Sequence, residues 1–137
     1  MKFVNAKITR LLLSFFGTDD RRINHALEVA FHARRIAMEK NIQHDNEILL
    51  ASALLHDVGI KPAEEKFGYN NGKLQEEYGP KEAEKLLFSI GMSEEKIKIV
   101  KEIIGNHHSL SRFAYAELKI LKEADRVVNR AEESECK

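Results

Sequence analysis

Four ionisable side chains stand where the sequence around them predicts burial. His25 falls on an apolar stripe of a predicted helix, and His56 with Asp57 ends the apolar stretch ALLHDVG. Asp125 lies in a core-facing row of the last predicted helix, with Leu118, Leu121 and Val128. An unpaired charge in a protein core costs more free energy than its burial gains. Because two imidazoles and two carboxylates suit a divalent metal ion, one bound cation would explain all four positions.

The residues alone leave a structural interpretation open for each of these side chains, since a lone buried histidine is often a hydrogen-bonded core residue. They also leave the metal open, because the set accepts manganese, iron, cobalt, nickel, zinc or magnesium. A structural zinc site made of thiolates is excluded, since Cys136 is the only cysteine in the chain.

The other four of the six histidines differ in their surroundings. His32 follows His25 by seven residues, which is roughly 10 Å along a helix axis and too far to share one small ion. We therefore expect His32 to be structural or an outer partner of the site, and His44, between polar residues, to be a surface residue. His107 and His108 continue the apolar row of the preceding predicted helix, which favours a position in the pocket.

Composition limits the class of protein. The chain has 137 residues, 22 Lys and Arg against 22 Asp and Glu, and one cysteine. This length suits one domain with a core that needs no disulfides, and the single cysteine fits a reducing compartment. A net charge of zero disfavours a nucleic-acid polymer as partner. The apolar run Leu11 to Phe16 is too short to span a bilayer, so we predict a cytoplasmic protein with no membrane partner.

Helical periodicity runs through almost the whole chain. The first predicted helix covers residues 3–16, and the second runs from a cap at Thr18 or Asp19 to about Lys40. The third runs from a cap at Asp45 through Leu55, with Gly59 as its terminator. Three more helices are predicted from Pro80 to Gly91, from Ser93 onward, and over about residues 114–131. Residues 61–79 contain Pro62 and several glycines and asparagines, which predict a loop with at most short helical pieces. Without strand alternation or a linker, residues 1–137 form one all-α domain of about five to seven helices. We expect its core at 18–131 and a frayed tail at 132–137.

The order of these motifs resembles the HD-domain superfamily of metal-dependent phosphohydrolases, which carries an H…HD…D arrangement. The matching residues are His25, His56, Asp57 and Asp125, in the segments RINHALEVA, LLHDVG and EADRVV. The resemblance covers most of the chain and implies a compact helical bundle in which these four residues ligate one divalent ion.

The resemblance also implies a mechanism and a substrate class. The metal would activate a water molecule that attacks a phosphomonoester or a nucleotide, and Asp57 would additionally steady that water. An anionic substrate needs fixed donors beside the metal, for which the candidates are Arg22, Lys61, His107 and His108. An ion-paired or solvated Arg22 is the alternative.

The sequence departs from the family at several places. Gln75 stands where members with two metals carry a histidine, so we expect one ion per chain, although His107 and His108 resemble later histidines of that subgroup. Ile60 replaces the usual lysine, with Lys61 one place later, and the GYP signature of the cyclic-dinucleotide subgroup is absent. Two alternatives therefore remain: an HD-type di-iron oxygenase, and a non-catalytic module that metal stabilises for binding or sensing. A homo-oligomer through the apolar end of the first helix is also open.

Overall fold

Each regular element in the computed structural model, which describes residues 3–135, is an α-helix. The seven helices in that range are α1 (Val4–Phe16), α2 (Asp20–Glu39), α3 (Asn46–Leu55), α4 (Ile60–Phe67), α5 (Gly72–Ser89), α6 (Glu94–Ile104) and α7 (Ala116–Glu135). The predicted all-α class is confirmed, and the number of helices lies within the predicted range.

Helix α3 lies at the centre of the bundle. It contacts α1, α2, α6 and α7, and Leu54 and Leu55 at its end are 2% and 0% exposed. Its sequence is apolar on all sides, so it gains from burying every face and must lie inside the bundle. Because α3 ends at Leu55, the two residues that follow it emerge directly into the core.

Two 20-residue helices, α2 and α7, pack against each other beside α3. The buried face of α2 includes Ala26, Val29 and Ala33, and small side chains of this kind allow close approach of the helices. The metal-ligand candidates on the two helices, His25 and Asp125, lie beside these packed faces. The α2–α7 contact therefore decides how far apart those two side chains are.

Local capping explains where three helices begin. Asp19, Asp45 and Ser93 each accept a hydrogen bond from the backbone N–H three residues later, at 3.3, 3.0 and 3.3 Å. Such bonds satisfy backbone donors that have no partner within the helix. The helix starts predicted at these residues are confirmed.

The loop predicted for residues 61–79 is wrong, because α4 and the first half of α5 occupy most of it. Pro62 is the third residue of α4, where a missing N–H breaks no helical hydrogen bond. Gly68 ends α4 with a φ of 79°, and the Asn71 side chain accepts a bond from Leu74 N at 2.9 Å to begin α5. The glycines and asparagines thus mark the ends of two helices separated by a short turn.

Pro80 lies inside α5 and does not begin a helix as predicted. The reason is tertiary, because α5 crosses the start of α4 at very short range. A Cβ atom added to Gly59 would lie 2.6 Å from the backbone N of Gly79, and one added to Gly79 would lie 2.8 Å from Ile104 Cγ2. Packing on both sides stabilises the helical backbone through two residues that locally disfavour it.

The last helix also differs from its predicted bounds. It runs from Ala116 to Glu135, so residues 132–135 of the predicted frayed tail are helical, while Cys136 and Lys137 lie outside the described residues. Glu132 contacts His25 of α2 at 3.0 Å, which ties the last turn of α7 to the bundle.

The apolar end of α1 is largely used by the core, since Leu12 and Phe16 are buried and only part of this end faces solvent. Within residues 3–135, no helix combines the length and the apolar character that a membrane crossing needs.

We expect Gly59→Ala to destabilise the protein, because the atoms that its Cβ would meet belong to the backbone of Gln75 and Gly79 and cannot rotate away. The cost should reach the upper part of the range of about 1–3 kcal/mol for overpacking. Urea unfolding measures it against Gly91→Ala, whose Cβ meets nothing within 4 Å but which has a positive φ. A Gly59→Ala variant as stable as the wild type would contradict the close approach of α4 and α5.

Candidate metal centre

Three parts of the fold bring the four sequence-predicted ligands together. α2 supplies His25, the turn after α3 supplies His56 and Asp57, and α7 supplies Asp125. The distance from His25 Nε2 to Asp125 Oδ1 is 3.1 Å, and His56 Nε2 lies 3.3 Å from Asp57 Oδ2 and 3.4 Å from Asp125 Oδ1. The ligand atoms of His25, His56 and Asp125 all lie within 4.8 Å of one another. Asp57 Oδ2 is 3.6 Å from His25 Nε2, so it faces the same point.

The environment of His56 indicates that a cation belongs at this point. Its side chain is fully buried, and Nδ1 donates a hydrogen bond to the carbonyl of Ala53 at 2.7 Å. Nε2 therefore points inward, and within residues 3–135 it makes no hydrogen bond despite the two nearby carboxylates. A buried nitrogen without a partner, surrounded by carboxylate oxygens, is suited to coordinate a divalent ion. The residues present thus fit a metal, and His25, His56, Asp57 and Asp125 are those that would hold it.

A second group of possible ligands adjoins the first through Asp57. Nδ1 of His107 donates to the carbonyl of Ile104 at 2.5 Å, and its buried Nε2 has no partner among the described residues. This Nε2 lies 4.0 Å from Asp57 Oδ1. The ligand atoms of Asp57, His107 and His108 also lie within 4.8 Å of one another. Asp57 therefore directs one oxygen toward each group.

Gln75, the residue expected to weaken a second metal position, is held in a chain of side-chain hydrogen bonds. Its Nε2 donates to Asn70 Oδ1 at 2.8 Å, and Asn70 Nδ2 donates to Glu64 Oε2 at 2.7 Å. This chain orients the amide so that Oε1 of Gln75 faces Nε2 of His108, at 2.5 Å. The amide oxygen is thus turned toward the second group of ligands.

The charges of the centre shift the pKa values of its members in opposite directions. Burial would lower the pKa of His56, but the negative charges of Asp57 and Asp125 outweigh it and raise that pKa well above its usual value. Burial would raise the pKa of Asp57, whereas His56 lowers it to about 2. Burial lowers the pKa of His107 to about 4, with His56 and His108 adding to the effect. Hence both carboxylates are ionised and His107 is neutral at pH 7.

The predicted phosphate ligands are only partly brought to the centre. Arg22 lines a cavity of about 220 Å³ together with His25 and Asp57, while its guanidinium donates to both carboxylate oxygens of Glu64 at 3.0 and 2.9 Å. Lys61 is directed elsewhere, since its Nζ donates to the carbonyl of Phe15 at 3.0 Å and lies over the Phe15 ring. Lys61 is thus directed toward α1 and not toward the candidate ligands.

Several residues at the centre were not found from the sequence. A second cavity, of about 460 Å³, adjoins Asp125, His107 and His108. Its other lining residues include the cations Lys122, Arg126 and Arg130. Neither arginine has an ion-pair partner within the described part of the chain. The two arginines are four residues apart on α7, and this spacing indicates that they share one face of the helix. The signal is easily missed, because Arg126 directly follows Asp125 in the sequence.

His32 and His44 lie apart from the centre. Nδ1 of His32 accepts a hydrogen bond from Arg35 Nε at 3.2 Å, and His44 contacts the carbonyl of Ile42 at 2.8 Å and the Asn46 side chain. Both are satisfied by near neighbours in sequence, so they serve as internal controls for the histidines of the centre.

Comparison with known proteins agrees with this geometry. A family model described as HD domain matches residues 22–130. A protein of Clostridium beijerinckii, described as uncharacterized, is 29% identical over 96 residues, which are 70% of this chain and 58% of that protein. The crystal structure of a predicted HD superfamily hydrolase from an uncultured Thermotogales bacterium matches with a TM-score of 0.67 and 25% identity, over 94% of this chain and 74% of that one. The chain thus spans little more than half the length of the curated relative.

We expect His56→Gln and Asp125→Asn to weaken metal binding by at least about 10–100-fold, the range that loss of even an outer partner of a ligand produces. The control is His44→Gln, which removes a histidine that contacts only nearby polar groups. Titration of the metal-free proteins with Zn²⁺ measures the affinities. A wild-type affinity in both ligand variants would contradict the assignment of the centre.

The effect of Zn²⁺ on the melting temperature should grow between pH 6 and pH 8. Protonated His56 has a raised pKa in the folded state, so in the metal-free protein it stabilises the fold below its unfolded pKa, and this contribution is lost as the pH rises through the folded pKa. Metal binding displaces the same proton and therefore becomes more favourable as the pH rises. Scans with and without Zn²⁺ test this, and a smaller metal effect at pH 8 would contradict it.

Proposed function

We propose, because the chain belongs to the HD-domain family, that it is a metal-dependent phosphohydrolase that acts on a phosphomonoester or a nucleotide. The observation that carries the proposal is the unpartnered Nε2 of His56, buried against two ionised carboxylates. An enzyme of this kind needs such a centre beside a cavity that accepts an anion. Both features are present in this chain.

A divalent ion, when bound, supplies a coordinated water of lowered pKa and a positive charge beside the phosphoryl oxygens. The residues of this chain have separate tasks around it. Asp57, whose pKa is about 2, stays ionised at neutral pH. Its carboxylate would orient the attacking water by accepting a hydrogen bond from it. His107, which is neutral at pH 7, presents its Nε2 lone pair from the other side of Asp57 Oδ1. In the reaction, the water oxygen would bond to phosphorus, the ester P–O bond would break with its electron pair going to the leaving oxygen, and that oxygen would take up the proton that the attacking water gives up.

The two cavities beside the ligands support a small phosphorylated substrate. One adjoins Asp57 and contains Arg22, whose guanidinium is paired with Glu64, and the other adjoins Asp125 and contains Arg126 and Arg130. Guanidinium groups bind phosphate through paired N–H donors. Volumes of about 220 and 460 Å³ suit a nucleotide or a smaller phosphoester better than a polymer.

A second candidate is an HD-type di-iron oxygenase, which one observation favours. Asp57 directs its two oxygens toward separate groups of ligands, His56 on one side and His107 on the other. One ion per chain, a homo-oligomer and a cytoplasmic location stay predictions from the sequence.

The test is a panel of phosphomonoesters and nucleotides given to the metal-free protein after loading with each candidate metal. We expect release of inorganic phosphate that depends on the metal. His56→Ala and Asp57→Asn should lower the rate on the order of 10²–10³-fold, because both remove groups that hold or orient the reacting centre. His32→Gln is the matched control, since His32 contacts Arg35 and lies outside the centre.

The outcomes separate the alternatives. Turnover that survives in both site variants would contradict the phosphohydrolase. A rise in melting temperature with metal, but no turnover of any substrate, would favour a binding or sensor module. Two irons per chain after anaerobic loading, followed by consumption of oxygen, would favour the oxygenase.

A further inference from the structure

His25 is held at both of its ring nitrogens by carboxylates of the same helix. Its Nε2 lies 3.1 Å from Asp125 Oδ1, and its Nδ1 lies 3.1 and 3.0 Å from the two carboxylate oxygens of Glu132. His56 and His107 differ, because their outer nitrogens donate to backbone carbonyls of the preceding turn. Among these three histidines, His25 alone depends on a charged side chain from another helix for its orientation.

We propose that Glu132 is a positioning residue for the metal centre, which holds His25 in the orientation and tautomer that a metal ligand needs. The inference rests on the proposed metal centre. An ionised carboxylate accepts hydrogen bonds and has no proton to donate. The proton of the neutral imidazole is therefore held at Nδ1, which faces Glu132. Nε2 then presents its lone pair to the point where His56 and Asp125 converge. A carboxylate behind a ligating histidine also makes that histidine a stronger donor to the metal.

The geometry of α7 explains how one helix acts on both ends of the ring. Asp125 and Glu132 are seven residues apart, which is close to two helical turns, so both carboxylates lie on the face toward α2. Moving His25 away from the centre would therefore require breaking its contact with Glu132 as well as with Asp125.

Glu132 is well placed for this role and poorly placed for a structural one. Its side chain is 38% exposed, whereas that of His25 is 12% exposed. Besides His25, the charged groups that share its two cavities are Arg21, Arg22, Glu28, Asp57, Glu133 and Glu135. Within the described residues, its hydrogen-bond and ion-pair partner is His25. Removing the carboxylate leaves no buried charge unpaired except at the imidazole, so we expect the fold to survive its loss.

The expected loss is in metal affinity. Glu132→Ala should weaken Zn²⁺ binding about 10–100-fold, the effect that removal of an outer partner of a ligand produces. Glu132→Gln should lie between Glu132→Ala and the wild type, because its amide oxygen can still accept from Nδ1–H but carries no charge. Glu135→Gln, which removes a carboxylate from the same turn of α7, should bind Zn²⁺ as the wild type does.

Calorimetric titration of the full chain with Zn²⁺ measures these affinities, and circular dichroism of the metal-free proteins confirms that the helices are retained. In the Zn²⁺-loaded protein, the ¹⁵N-coupled proton signal of His25 Nδ1–H reports the hydrogen bond to Glu132 directly. This signal should shift in Glu132→Gln and exchange too fast for detection in Glu132→Ala, whereas it would stay unchanged if Glu132 did not accept from His25 in the loaded protein. A purely structural role would leave the Zn²⁺ affinity of the folded variants unchanged.

An unchanged Zn²⁺ affinity in Glu132→Ala would overturn the proposal, and so would an equal loss in Glu135→Gln. If Glu132→Ala fails to fold, Glu132→Gln decides by the same two measurements. These outcomes are separable from the proposed function because they need no turnover. Weakened binding in a protein that hydrolyses no phosphoester would support Glu132 and contradict the function. Metal-dependent hydrolysis with an unchanged Zn²⁺ affinity in Glu132→Ala would support the function and contradict the role of Glu132.

Discussion

The negative charges of Asp57 and Asp125, which meet where the central helix α3 ends, must be offset for the protein to fold as it does. α3 is apolar on every side and must lie inside the bundle, so the residues directly after Leu55 have little access to solvent: His56 is fully buried and the side chain of Asp57 is 15% exposed. His56 and Asp57 are therefore carried into the core, where Asp125 adds a second carboxylate. Removing a charge from water costs several kcal/mol even after relaxation, roughly the stability of a whole small domain. The neighbouring imidazoles offset these negative charges, and the residues present could also hold a cation.

The surrounding helices fix the orientation of the histidine rings around these carboxylates. The outer nitrogens of His56 and His107 are held by the carbonyls of Ala53 and Ile104, and that of His25 by Glu132. Each ring is thereby prevented from turning, and the inner nitrogens stay directed at the carboxylates. One cavity brings Arg22 near Asp57, and the other brings Arg126 and Arg130 near Asp125. Rigidity at the ligands, with open space beside them, suits chemistry on a small anionic molecule.

The parts of the fold and site that could be predicted share one property. Helix starts at Asp19, Asp45 and Ser93 follow from a side chain and a backbone N–H only three residues away. The four candidate ligands could be singled out because polar residues on apolar faces are conspicuous in a sequence with clear helical periodicity. Residues 61–79 were misjudged for the complementary reason. Their glycines and prolines locally disfavour helix, and only packing of α5 against Gly59 and Ile104 reverses that preference.

Periodicity and short-range hydrogen bonds were enough to predict the helical class, three of the helix caps and the four candidate ligands. The tertiary structure alone decided that Asp57 faces His107, that Lys61 turns toward Phe15, and that Glu132 holds His25. It also placed Arg126 and Arg130 in one cavity with Asp125. These contacts join residues far apart in the chain, and their geometry follows from how α2, α3, α5 and α7 pack. Local sequence carries no record of that packing, because many arrangements of the same helices would satisfy the same apolar pattern.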